Sequence, residues 1–71
     1  MSKHASQTNY AVQLNRADGR GDIVPEWTTR QKATKMALGA VMMMRTTPPA
    51  EPTPSVSVVD FDGKPVETFK V

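Results

Sequence analysis

The sequence has no cysteine, a single histidine, four aromatic residues and no apolar run longer than the nine residues Met36 to Met44. Each shortage closes a route. Without cysteine there is no disulfide, no thiolate zinc site and no thiol nucleophile. Nine apolar residues fall well short of the roughly 20 that cross a bilayer. The polar start, Met1 to Asn9, has no apolar core of the signal-peptide kind, so the chain is expected to be soluble and cytoplasmic. Leu, Ile, Val and Phe together supply 13 of 71 residues, a share that indicates disorder when net charge is high. The net charge is only +2, and a folded domain is expected. A domain of about 60 residues buries only about 60% of the surface its unfolded chain exposes. With no covalent or metal staple in reach, a homodimer or a partner is the expected supplement.

Catalytic groups are equally scarce. His4 lies in residues 1–9, expected to form a mobile N-terminal tail, where no rigid shell holds it against a substrate. No Ser or Thr stands in a recognisable nucleophile-and-base arrangement. The chain is therefore expected not to be an enzyme, and to use no cofactor and no metal. Asp60-Phe61-Asp62-Gly63 fails as a calcium loop, because aligning Gly63 with the loop's sixth position puts Val58 and Phe69 where carboxylates are required. Arg20-Gly21-Asp22 spells an adhesion tripeptide, but two glycines around Arg20 read as a turn. Pro49-Ala50-Glu51-Pro52 has the P-x-x-P spacing without a basic residue in register, and reads as linker.

The remaining patterns place elements over residues 10–71, one domain with a Pro-rich linker at 46–54. Tyr10, Val12 and Leu14 alternate with polar or small residues, the period of a half-buried strand. Asp18-Gly19-Arg20-Gly21 is turn chemistry, and Ile23 to Trp27 returns as a strand that Pro25 confines to a sheet edge. Thr28-Thr29-Arg30-Gln31 fits a capping box. Beyond it Ala33, Met36, Ala37, Ala40, Val41 and Met44 form one helical stripe. Pro48, Pro49, Pro52 and Pro54 favour an extended polyproline spacer. Ser55 to Phe61 and Pro65 to Val71 flank Asp62-Gly63, a hairpin pair. Val58-Val59 breaks the alternation, so either face of this hairpin qualifies as the inner one. The expected fold is α+β: a small antiparallel sheet, β-β-α-β-β or β-α-β-β, with one helix packed on one face. Tyr10, Val12, Leu14, Val56, Val58 and Phe69 are expected beneath the helix, with Trp27 closing its entrance.

Candidate binding residues follow from what the core leaves over. Arg30, Lys32, Lys35 and Arg45 lie off the apolar stripe and, with Arg16 and Arg20 from the first turn, make a candidate phosphate- or acid-contacting face. Leu38, Met42 and Met43 widen the apolar sector, and methionines suit adaptable partner surfaces. Residues 1–47 hold seven cations against three carboxylates, and residues 48–71 hold two against four.

Thr29-Arg30-Gln31-Lys32-Ala33 followed by Val58-Val59-Asp60-Phe61-Asp62-Gly63 resembles, in element order and turn chemistry over residues 10–71, small strand-helix-hairpin proteins of phages and mobile elements. Anti-CRISPR and host-takeover proteins are of this kind. The resemblance implies a non-enzymatic inhibitor that occupies a surface of a bacterial host or defence complex, in the host cytoplasm. The alternatives are a small basic nucleic-acid-binding protein and an accessory subunit of a virion or other assembly.

Overall fold

A computed structural model describes residues 8–71; the expected mobile tail lies mostly outside the described residues, and His4 wholly so. The order is β1 (Tyr10–Asn15), β2 (Gly21–Thr28), α1 (Arg30–Thr46), β3 (Ser55–Val59) and β4 (Pro65–Lys70). The strands form one sheet in the order β2-β1-β3-β4, every neighbouring pair antiparallel. This is the β-β-α-β-β form of the expected α+β fold. Two hairpins lie side by side, and α1 carries the chain from the outer strand of one to the inner strand of the other.

Both hairpins turn in the same way. Gly19 N–H bonds the Arg16 carbonyl at 3.0 Å and Arg16 N–H bonds the Arg20 carbonyl at 2.8 Å; Gly63 N–H bonds the Asp60 carbonyl and Asp60 N–H bonds the Lys64 carbonyl, both at 2.9 Å. Gly19 and Gly63 have φ of 93° and 81°, the left-handed region where glycine avoids the Cβ penalty. Each loop is therefore a three-residue turn ending in Asp-Gly rather than the two-residue turn expected at Asp62-Gly63.

The helix begins one residue later than the capping box suggested. Thr29 is the N-cap, its Oγ1 accepting from Lys32 N–H at 3.2 Å, so Gln31 falls one position short of the place from which it reaches back. The apolar stripe meets the sheet as expected. Ala33, Ala37 and Val41 are buried among Val12, Val56 and Val58, and Tyr10, Leu14, Met36, Met44, Phe69 and Val71 pack around them half-buried. Small helix residues allow α1 to lie close to the sheet, while the β-branched valines fill the pleat.

The Pro-rich segment departs from the spacer expectation. Pro52 carbonyl accepts from Ala17 N–H at 3.0 Å and Pro54 carbonyl accepts from Val71 N–H at 2.9 Å; Thr53 between them is buried. Prolines lack amide donors but keep their carbonyls, and here those carbonyls staple the segment across one end of the sheet as a strap.

Candidate docking surface

The face of the sheet away from the helix has two parts. Cross-strand partners share a face, so the pairs Gln13↔Ser57, Asn15↔Ser55 and Ser57↔Thr68 put five uncharged polar side chains together. They satisfy one another: Gln13 Nε2 donates to Asn15 Oδ1 at 2.9 Å, Asn15 Nδ2 donates to Ser55 Oγ at 3.1 Å and Ser57 Oγ at 2.9 Å, and the Ser57 and Thr68 hydroxyls are 2.8 Å apart. A Cβ on Gly21 would come within 2.8 Å of the Gln13 amide, so glycine there makes room for the ladder's first member.

Toward the Asp60–Lys64 turn the same face becomes apolar. Ala11 pairs with Val59, and both are 0% exposed although neither faces the helix. Trp27, one residue before the Tyr10-facing Thr28, falls on this side and packs against Phe61, ring centroids 5.6 Å apart and planes tilted by 59°. The helix entrance is therefore not where Trp27 goes, contrary to the expectation from sequence. The tryptophan remains 40% exposed and Phe61 71%. Ile23, opposite Gln13 of the polar ladder, is exposed on the same face, and Val66 is exposed at the β3–β4 irregularity. The contacting pair Trp27 and Phe61 thus stands exposed where a solvated sheet normally carries polar side chains. In sequence Glu26 adjoins Trp27, and Asp60 and Asp62 adjoin Phe61 with Lys64 three positions on.

The cations singled out from sequence lie elsewhere, in three groups. Arg16 and Arg20 belong to an ion-pair cluster at the strap. Arg16 Nε donates to Asp22 Oδ2 at 2.8 Å and its Nη1 to Thr53 Oγ1 at 2.6 Å; Arg20 pairs with Asp18 at 2.8 Å and with Glu51. The Arg20 amide, first, and its guanidinium hold the Asp18 carboxyl below the usual carboxylate range. These guanidiniums tie the first turn to the strap. Arg30, Lys32 and Lys35 stand at the opposite end, the two lysines lining a shallow depression with Thr29 and Gln31. Arg45 closes the helix, its Nη2 donating to the Lys70 carbonyl at 3.1 Å, a cation at the negative helix end. Fifteen residues separate Arg30 from Arg45, about 22 Å along a helix, so the six cations do not form one continuous face.

Leu38, Met42 and Met43 form an exposed ridge on the outer side of α1, at 43%, 67% and 71%. Sequence reasoning found this ridge but missed the sheet-face patch. The signals that point to it are Trp27 and Phe61 themselves, in a chain with only four aromatics, one in a strand confined to an edge and one in a turn. Among the described residues no three His, Asp or Glu side chains gather as a metal site, and no helix is long and apolar enough to cross a membrane. No protein-family model, curated protein or solved structure matches the chain.

Proposed function

We propose that this is a non-enzymatic interaction protein that docks on another protein through the Trp27–Phe61 end of its open sheet face. The observation that carries the reading is the exposed aromatic pair on a face whose polar neighbours are already hydrogen-bonded to each other. Desolvating such a face strips little water from unsatisfied groups, and aromatic anchors dominate the energetics of protein interfaces. Its class of action is that of the phage and mobile-element inhibitors it resembles in element order, with a bacterial host or defence complex as the partner.

The test is capture from bacterial lysate by the wild-type chain and by Phe61→Ser, each with and without nuclease. A protein held by the wild type, indifferent to nuclease and lost with Phe61→Ser, supports the reading; equal capture by both chains overturns it. The nucleic-acid alternative draws on Arg30, Lys32, Lys35 and Arg45, which make α1 a helix of four cations and no carboxylate. It requires oligonucleotide affinity that falls between about 50 and 200 mM salt with a slope of about −0.9 per duplex phosphate contact.

A further inference from the structure

Gly39 sits in the middle of α1, where glycine is among the poorest helix formers. Nothing in the fold accounts for it: a Cβ built there meets no atom within 4 Å, and the residue is exposed. Its helical neighbours at three and four positions on are Met42 and Met43, and Leu38 adjoins it. The missing side chain leaves a notch in the exposed apolar ridge, of the kind that lets another surface approach the helix backbone closely.

Two unpartnered apolar surfaces therefore lie on opposite sides of one small molecule, and their charges are opposite. All four charged residues of α1 are cations: Arg30, Lys32, Lys35 and Arg45. The described residues outside it hold four cations against seven carboxylates. The turn that carries Phe61 holds Asp60 and Asp62 against Lys64.

We infer that the protein associates head to tail with a second copy of itself. The Trp27–Phe61 patch of one molecule seats on the Leu38–Met42–Met43 ridge of the next, with Phe61 in the notch at Gly39. This inference deepens the docking reading above and rests on it, since it names one occupant of that same patch. Phe61 suits the notch because it stands at a turn tip and is 71% exposed, and Lys35, one helical turn before Gly39, then faces the carboxylates of that turn rather than other cations. Such a contact uses different surfaces on the two molecules, so each dimer still presents one free patch and one free ridge. The contact does not close on itself, and association continues into short open chains.

Sedimentation of the full chain from about ten micromolar to about half a millimolar tests the inference, since mass action drives association over such a range. The wild type gains mass with concentration. Raising salt from about 0.05 to about 0.5 M weakens that gain several-fold, because rim charges are screened. Phe61→Ser and Met42→Glu, both at exposed positions, are each expected to be monomeric, with association weakened about thirtyfold or more, the effect of losing a hot-spot side chain. Mixed in equal amounts, they restore a dimer that does not grow, because one supplies an intact ridge and the other an intact patch.

Gly39→Ala separates a binding notch from an incidental glycine. It is expected to raise the melting temperature of the dilute protein, from better helix propensity, while weakening association at least about tenfold by filling the notch. Circular dichroism confirms that every variant stays folded, and Leu38→Ser replaces Met42→Glu should the latter not fold. A wild type that stays monomeric throughout overturns the inference. So does association left intact by Gly39→Ala, or a single-face variant that still dimerises. None of these bears on lysate capture by the wild type against Phe61→Ser, which judges the docking reading separately.

Discussion

The turns Arg16–Arg20 and Asp60–Lys64 share a backbone, each closing a hairpin through three residues that end in Asp-Gly with the glycine at positive φ. Their side chains diverge. The first turn is dressed in arginines and carboxylates that pair with one another and with Glu51 and Thr53 of the strap. The second carries Phe61 at its tip, and its carboxylate Asp60 is spent inward, its Oδ1 accepting from the amides of Asp62 and Lys64 at 2.9 Å each. One turn is sealed by its own chain and the other is left unsealed beside an exposed tryptophan. A local motif thus fixes how the chain reverses but not what the reversal is for; the residue at the tip and the segment that reaches it decide that.

Val41→Asp attacks what both hairpins share. Val41 is buried where the helix meets the sheet, and an unpaired buried charge costs several kcal/mol, comparable to the whole stability of a small domain. Loss of the cooperative thermal transition is expected by circular dichroism; an unshifted melt would place α1 wrongly. Arg16→Ala breaks the sealed turn alone. The Arg16 side chain is 15% exposed, and removing charged hydrogen bonds to Asp22 and Thr53 is expected to cost about 2 kcal/mol, seen as a lower midpoint in urea. Proteolysis within residues 47–54 should accelerate with it.

Gly19→Ala and Gly63→Ala compare the two turns directly. A Cβ at either glycine meets nothing within 4 Å, so the cost is conformational only, about 1 kcal/mol, and equal at both if the turns are equivalent. A twofold difference in the measured losses would show that side chains, not backbone, set the turn. Phe61→Ser, by contrast, is expected to move stability by less than about 1 kcal/mol while removing partner capture. Asp18→Asn is the smallest change. The Asp18 carboxyl is held below its ordinary value of about 3.9 in the folded chain, so its contribution is present above that value and lost as pH falls through the lowered one. The melting difference from wild type should therefore be detectable at neutral pH and vanish in strong acid.

Much of this architecture was legible because its signals are local and periodic. The helical stripe from Ala33 to Met44, the edge position forced by Pro25 and the two glycine turns each follow from a few neighbouring residues. What escaped depends on contacts between distant ones. Pro52 and Pro54 read as a spacer because composition reports a missing N–H and says nothing of a carbonyl that finds Ala17 or Val71. Trp27 reads as a lid on the helix from its place beside Thr28, yet its partner is Phe61, thirty-four positions away in sequence. Val59 broke the strand alternation because two faces bury apolar residues, Val58 under the helix and Val59 on the other side. One-dimensional reading of the cations merged two ends of the molecule into one face: Arg16 and Arg20 lie at the strap and Lys32 and Lys35 at the start of the helix.

The central ladder between β1 and β3 joins positions from forty residues apart, Asn15 and Ser55, to forty-eight, Ala11 and Val59, while each hairpin closes over only a few. In kinetic terms the chain holds two quick local events and one slow one. Both turns can form before the core exists, yet neither hairpin alone buries enough to persist, and the entropy of closing the long loop is met only when the helix stripe and the central valines collapse together. The folding barrier is therefore assigned to the meeting of Val12 and Val58 beneath Val41. Truncating those three to alanine should slow refolding more than it speeds unfolding, and the turn glycine variants should do the reverse.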